Sequence, residues 1–229
     1  MSAGNAGGFL SRAWAVCAKD AAQEGRRRVA LGAVFFFAAT SLALVAFAVG
    51  PFGVPEDARA RLHAALLWIV LFFSAATGLP RAFVREEESG TAVALRRLAP
   101  ASVVVAGKTL FNFLLLLAVT AATMPVFALL MDWRVASMPG LLGLTVLASY
   151  GLAVVSTFLS ALVAGAGQRN VLFVLVSFPL LVPLLLPAIA GTIAAAEGSS
   201  TAMALRVLVA YDGAATCGAY LLAGAAWED

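Results

Sequence analysis

Residues 29–49 read VALGAVFFFAATSLALVAFAV, a run of 21 residues without a charged side chain. As an α-helix this run is about 32 Å long at 1.5 Å per residue, so it matches the roughly 30 Å hydrocarbon core of a bilayer. It is longer than the apolar region of a typical secretory signal peptide. We therefore expect a retained membrane-spanning helix and not a cleaved leader.

The composition extends this prediction to the whole chain. Of its 229 residues, 62% are hydrophobic and 12% are charged. A water-soluble domain of this size needs far more polar surface to cover its core, so the excess apolar side chains must face lipid. The net charge of +3 is too small to favour a nucleic-acid partner, and none is expected.

Five further apolar segments follow, separated by short connections. Each is predicted to be a helix, because the open edge of a strand would leave backbone groups unpaired in lipid. The prediction is an all-α integral membrane protein with six transmembrane helices in one domain, residues 1–229. The six predicted spans are Val29–Val49, His63–Leu79, Thr109–Met131, Pro139–Gly165, Val171–Ala194 and Ala204–Trp227.

The basic residues are divided unequally between the two sides of the predicted bundle. Eleven of the 15 Lys and Arg residues lie before span one, between spans two and three, or between spans four and five, and four lie on the other side. By the positive-inside rule the richer side is cytoplasmic. Both termini are then cytoplasmic, as an even number of spans requires.

An amphipathic segment precedes the first span. One helical face of residues 9–28 is apolar and the charged side chains lie mostly off it, which is typical of a helix lying in the membrane interface. A disordered basic tail is the alternative. The predicted apolar face consists of Phe9, Leu10, Ala13, Trp14 and Cys17.

The longest predicted cytoplasmic connection, residues 81–108, reads RAFVREEESGTAVALRRLAPASVVVAGK. It begins with charged residues, breaks at Ser89–Gly90, and continues as an amphipathic stretch, Thr91–Leu98, that ends before Pro100. This pattern predicts a hairpin of two short helical pieces. Its acidic residues either begin a solvated helix or form a docking surface for a cytosolic partner. The charged residues are Arg85, Glu86, Glu87 and Glu88.

Few residues could support catalysis or hold a metal. His63 is the one histidine, and Cys17 and Cys217 lie far apart, so no metal site is expected. Residues 102–109, SVVVAGKT, resemble the end of a phosphate-binding loop, but three valines fill the loop and an apolar span follows. Any ATP is therefore expected on another chain, and Lys108 is expected to anchor span three at the cytoplasmic surface.

Two features inside the spans could carry function. Pro179, Pro183 and Pro187 lie near one face of span five, and each removes an amide donor from the helix. They predict either a simple kink or a flexing gate. Asp212 falls within span six, where a carboxylate is costly and marks a functional polar site, unless the span begins late and leaves it near the interface.

Two stretches resemble the haem exporter protein B (CcmB) family, the permease subunits of the cytochrome c maturation ABC transporter. The first is residues 83–91, FVREEESGT, followed by a leucine-containing stretch ending at Pro100 and by Gly107–Lys108. The second is residues 169–184, RNVLFVLVSFPLLVPL, which resembles that family's arginine-led fifth span with its spaced prolines. The six-span layout and the interfacial N-terminal helix also fit.

The resemblance implies an ABC-2-type exporter permease in a bacterial inner membrane, itself without catalytic activity. It would couple ATP hydrolysis by a partner to haem export, or to release of a haem-loaded chaperone. Haem would be the cargo of the complex, with no cofactor bound by this chain. The implied surface for coupling to the ATPase comprises Arg85, Glu86, Glu87, Glu88, Gly90, Thr91 and Pro100, and the implied gating residues are Pro179, Pro183 and Pro187.

The implied partners are a cytosolic ATPase (CcmA-like), a haem-handling membrane protein (CcmC-like), a small membrane subunit (CcmD-like) and a periplasmic haem chaperone (CcmE-like). Two other functions stay open at this point. One is an ABC-2-type exporter permease for a lipid, drug or saccharide. The other is a membrane-embedded enzyme, which would need a cluster of reactive groups around Asp212.

Overall fold

The computed structural model describes the backbone of residues 3–27, 29–49, 55–78, 90, 95, 98–163 and 169–228. Within these ranges the regular structure is entirely α-helical, which confirms the predicted all-α class. Seven helices are described: α1 (Ala3–Arg27), α2 (Val29–Val49), α3 (Glu56–Gly78), α4 (Ala101–Leu130), α5 (Met138–Val163), α6 (Arg169–Glu197) and α7 (Ala202–Glu228).

Five of these helices are long and apolar enough to cross a membrane. They are α2 to α6, and each coincides with one of the predicted spans. Helix α7 forms where the sixth span was predicted, but it is not among the five. Its described part carries Arg206 and Asp212, whose polar side chains lower its mean hydropathy.

Helix α4 begins earlier than the sequence suggested. The prediction began the third span at Thr109 and assigned Ala101–Lys108 to the cytoplasmic hairpin. In the structure Pro100 is the N-cap residue, with φ −57° and ψ 149°, and the helix continues without a break from Ala101. Proline suits this position because its fixed φ is compatible with the start of a helix and its missing amide would be unpaired there.

Helix α5 lies at the centre of the bundle and packs against α4, α6 and α7. Helices α2 and α3 pack against each other, and α3 also packs against α6. The core between these helices is formed by large apolar side chains such as Trp68, Leu116, Leu152 and Leu184. Trp68 Nε1 donates a hydrogen bond of 2.9 Å to Thr192 Oγ1, which ties α3 to α6 inside this apolar core.

Helix α6 is assigned as one helix through all three of its prolines. Pro179 and Pro183 are exposed and Pro187 is half-buried, while Leu181, Leu184 and Ala188 on the other side enter the core. The three prolines therefore do not interrupt the helix. The proline face points away from the core, and its proposed gating role stays a prediction.

Helix α1 forms where the sequence predicted an amphipathic helix, and its predicted apolar face is divided between exposed and buried side chains. Leu10 and Trp14 are 67% and 60% exposed. The buried side faces α4 and includes two acidic residues that were predicted to lie mostly off the apolar face. This side consists of Ala13, Val16, Cys17, Asp20 and Glu24.

Candidate functional site

The N-terminal end of α4 is joined to α1 by a buried ion pair. Lys108 Nζ lies 3.0 Å from Asp20 Oδ2, and Lys108 is only 1% exposed. Lys19 Nζ also lies 3.8 Å from Asp20 Oδ1. Lys108 was predicted to anchor α4 at the cytoplasmic surface, and the structure shows that its charge is directed into the contact between α1 and α4.

The same two helices approach each other closely one residue earlier, at Gly107. A Cβ atom added there would lie 2.5 Å from Val16 Cβ and 2.6 Å from the carbonyl oxygen of Ala13. Real Cβ atoms do not come that close to other heavy atoms, so only glycine allows α1 to pack at this distance. We call Val16, Asp20, Gly107 and Lys108 the α1–α4 junction.

The junction fixes one position of α1 on α4. Burying an ion pair removes both charges from water, and that cost makes such a pair weak evidence for stability. The pair instead specifies where α1 packs on α4, because any shift of α1 along α4 would leave Lys108 and Asp20 buried without each other. Glu24, which is also buried one turn after Asp20, extends the acidic side of α1.

Thiol chemistry offers a test of this packing. Burial, and in second place the negative charge of Asp20, raises the pKa of the Cys17 thiol. A raised pKa lowers the thiolate fraction at neutral pH, and the thiolate is the reactive form. We expect a Cys217→Ser variant in mild detergent to incorporate no N-ethylmaleimide at pH 7 until it is unfolded, as measured by intact mass. Rapid labelling of the folded variant would show that α1 does not pack on α4 as described.

Most residues of the predicted coupling surface lie outside the described part of the chain. These are Arg85, Glu86, Glu87, Glu88 and Thr91. Gly90 is exposed with φ +68°, a backbone conformation that favours glycine and agrees with the predicted turn. Leu95 is buried and packs with Val104 and Val105 of α4, so this part of the hairpin contacts the end of α4 that carries the junction.

Asp212 occupies a second polar position, between α5, α6 and α7. It is 4% exposed, and neither carboxylate oxygen has a hydrogen-bond partner within the described residues. A Cβ atom added to Gly151 of α5 would overlap Asp212 Oδ1 and lie 2.6 Å from Leu184 Cδ1. The glycine therefore makes room for the carboxyl group, and the predicted location of Asp212 within the helix bundle is supported.

The neighbouring residue connects α7 to the proline-containing helix. The hydroxyl of Tyr211 donates a hydrogen bond to the carbonyl oxygen of Leu180, which lies one turn before Leu184. One turn after Asp212 on α7, the hydroxyl of Thr216 lies 3.1 Å from the hydroxyl of Tyr150 in α5. Asp212 is thus flanked by two hydrogen bonds that hold α7 to α6 and to α5, but it takes part in neither through its side chain.

A cleft of about 250 Å³ lies between α4, α5 and α7, close to the junction. Most of its lining is apolar, with Phe113 and the hydroxyl-bearing Tyr150, Thr216 and Tyr220 among its residues. This volume is below the roughly 300–1,000 Å³ of typical pockets for small-molecule ligands. It can accept an apolar side chain or part of a larger molecule.

Within the described ranges no three His, Cys, Asp or Glu residues come together as a group that could hold a metal ion. His63 is fully buried, and neither of its ring nitrogens has a described hydrogen-bond partner. Its ring packs edge-on against Phe127 with 5.9 Å between the centroids. With no second histidine in the chain, this position offers no pair of histidine ligands for a haem iron.

Sequence reasoning missed the α1–α4 junction. One signal could have found it, since Asp20 and Glu24 continue at helical spacing the face that begins with Ala13, Val16 and Cys17. Two acids in line with an apolar face require a basic partner when the face is buried. The sequence could not show that this partner is Lys108, 88 residues away along the chain.

Comparison with known proteins gives one family match. A family model described as CcmB protein matches residues 11–227 of this chain. A comparison with curated proteins gives no match.

Proposed function

This chain belongs to the CcmB family, and we propose that it is the permease subunit through which a partner ATPase drives haem export or the release of a haem-loaded chaperone. Family membership makes it a membrane subunit of the cytochrome c maturation ABC transporter. The proposal adds the coupling to ATP, the cargo and the residues that transmit the movement.

The proposal includes α7 as a sixth membrane span, in an ABC-2-type architecture. Its 27 residues correspond to about 40 Å of helix, and it packs against α4, α5 and α6, which are themselves candidate spans. With six spans both termini lie on the cytoplasmic side of the inner membrane. The hairpin of residues 81–100 then faces the cytosol, where the ATPase would be.

One observation supports a coupling role above the others: the ion pair of Lys108 and Asp20 at the start of α4. The hairpin leads directly into α4 at Ala101, and Leu95 packs on the same end of that helix. A partner that pushes on the hairpin therefore moves α4, and α4 moves α1 through the junction. The residues proposed to contact the ATPase remain Arg85, Glu86, Glu87, Glu88, Gly90, Thr91 and Pro100.

The chain contributes no catalysis in this proposal. ATP is hydrolysed on the CcmA-like partner, and haem is handled together with the CcmC-like, CcmD-like and CcmE-like proteins. The cleft between α4, α5 and α7 is smaller than a typical ligand pocket, so it would accept only part of a haem. Haem is therefore proposed as cargo of the complex and not as a cofactor of this subunit.

Purification of the tagged chain from its native membranes in mild detergent tests the function. We expect an ATPase subunit to copurify, together with haem detectable by its absorbance. An ATPase that copurifies with a lipid, drug or saccharide and without haem would favour the alternative exporter. ATP hydrolysis by the isolated chain would contradict its assignment as a non-catalytic subunit.

A charge reversal in the hairpin tests the coupling surface. In the purified complex we expect Glu87→Lys to lower ATPase activity while assembly and the amount of complex stay unchanged. Glu197→Lys is the matched control, because Glu197 is an exposed acid at the other end of the bundle. Equal ATPase activity of the two variants in normally assembled complexes would show that the hairpin does not take part in coupling.

A further inference from the structure

The buried carboxyl group of Asp212 has no role in the coupling path described above. We propose that the region where α5, α6 and α7 meet is a proton-binding site. Asp212 is the group that carries the proton while the three helices are packed together. This inference does not depend on the identity of the cargo or on the ATPase.

The first support is the cost of burying a charge. An isolated carboxylate in an apolar environment is strongly disfavoured unless it is paired or hydrogen-bonded. Asp212 is 4% exposed, and no donor reaches either oxygen within the described part of the chain. A neutral carboxyl group satisfies this environment far better than a carboxylate.

The second support is the close contact of α5 and α6 with α7 at Asp212. Helix α5 presents Gly151, and α6 presents the side chain of Leu184. The titratable neighbours are Tyr211, which donates to the Leu180 carbonyl, and Tyr150, which pairs with Thr216. Arg206, nearly two turns earlier on α7, is exposed.

The third support concerns which cation could bind. Hard metal cations such as Ca²⁺ need about six or more oxygen ligands, and Mg²⁺ needs six in near-ideal geometry. Gly151 and the Leu184 side chain, which meet beside Asp212 Oδ1, supply none, and the described ranges contain no group of three His, Cys, Asp or Glu residues that could hold a metal ion. A proton requires only the carboxyl group itself, so it is the cation that the site fits.

The site has a direct mechanical consequence. Gly151 allows α5 to close on Asp212 and Leu184, and Tyr211 ties the same part of α7 to α6. If α5 separates from α7, water reaches the carboxyl group and the proton can leave. Because binding and conformation are linked, protonation then favours the packed arrangement and ionisation favours the separated one.

The first test is the pH dependence of stability. The unfolded chain loses the Asp proton near pH 4, whereas the packed chain keeps it. Stability therefore falls as pH rises, and the unfolding equilibrium constant of the native sequence, relative to that of Asp212→Asn, should increase about tenfold per pH unit from pH 5 upward. Equilibrium unfolding of the full chain in mixed micelles measures this ratio. A ratio that stays constant between pH 5 and 7 would overturn the proposal.

A second test uses the unaltered protein, so it remains decisive if Asp212→Asn fails to fold. Dicyclohexylcarbodiimide reacts with neutral carboxyl groups in apolar sites: the acid O–H adds across a C=N bond, and the product rearranges to a stable N-acylurea. Peptide mass spectrometry at pH 7 should find this adduct on Asp212 and not on Glu197, which is exposed. Modification of Glu197 with none on Asp212 would show that Asp212 is ionised.

Discussion

Replacing Lys108 by methionine is expected to destabilise the folded chain by about 3–5 kcal/mol. The substitution keeps an unbranched side chain of similar length but removes the charge, so Asp20 loses its partner at 3.0 Å. It keeps only the longer contact of 3.8 Å with Lys19, whose side chain is 34% exposed and compensates the buried charge incompletely. Breaking a buried ion pair from one side costs this much because the remaining ion stays out of water. Thermal or denaturant unfolding in detergent measures the loss.

The double variant Asp20→Leu/Lys108→Met distinguishes the stability lost through an unbalanced buried charge from the stability lost through altered packing. Replacing both members of a buried pair by apolar residues is often neutral or stabilising, so the double variant should recover most of the loss. The matched control is Arg134→Met. Arg134 lies 3.7 Å from Asp132 in a pair whose arginine side chain is 91% exposed, and no measurable change is expected there. Equal effects of Lys108→Met and Arg134→Met would show that Lys108 is not buried against α1.

The same variants test the proposed coupling. If force passes from the hairpin through α4 to α1, an assembled complex with the double variant should hydrolyse ATP but transport less haem per ATP. A purely structural pair would change stability without changing this ratio.

Helix α4 shows how much of the fold could be predicted from the sequence. The apolar run predicted a membrane-spanning helix there, and the structure has a helix long and apolar enough to span a membrane. A helix is the expected form because about 20 apolar residues in succession need their backbone groups paired in lipid. The start was wrong by eight residues, from Thr109 to Ala101. Lys108 was taken as a polar boundary, but a lysine paired with a distant aspartate can lie inside a helix.

The candidate sites were less predictable than the spans. Asp212 was found from sequence because a carboxylate in an apolar segment is conspicuous. That its carboxyl group has no hydrogen-bond partner within the described residues was not foreseeable, since this depends on the residues of other helices around it, such as Gly151. Nothing in the sequence distinguishes Gly151 and Gly107 from an exposed glycine such as Gly213. Only the packing of the helices shows the difference.

Gly107→Ala is the second substitution expected to have a large effect. Alanine is the better helix former, and this gain is about 0.5–1 kcal/mol. This gain is opposed by two close contacts of the added Cβ atom, which would lie 2.5 Å from Val16 Cβ and 2.6 Å from the Ala13 carbonyl oxygen. Overpacking of this kind typically costs about 1–3 kcal/mol and occasionally more, so the net effect should be destabilising.

Gly25→Ala in α1 is the matched control for this prediction. A Cβ atom at Gly25 meets nothing within 4 Å, so only the gain in helix propensity remains and the variant should be slightly stabilised. Opposite signs for the two variants in detergent unfolding would support the close contact. Stabilisation by both would mean that α1 does not approach α4 at Gly107.

No truncation of a neighbouring side chain should rescue Gly107→Ala. Shortening Val16 to alanine removes its γ carbons but keeps the Cβ atom that lies 2.5 Å away, and the Ala13 oxygen belongs to the backbone. The strain can be relieved only if α1 moves away from α4 as a whole. That movement would lengthen the distance between Lys108 and Asp20, so Gly107→Ala combined with Lys108→Met should cost less than the sum of the two single changes. Strict additivity of the two losses would show that the glycine contact and the ion pair act independently, and that α1 is not held at one position by both.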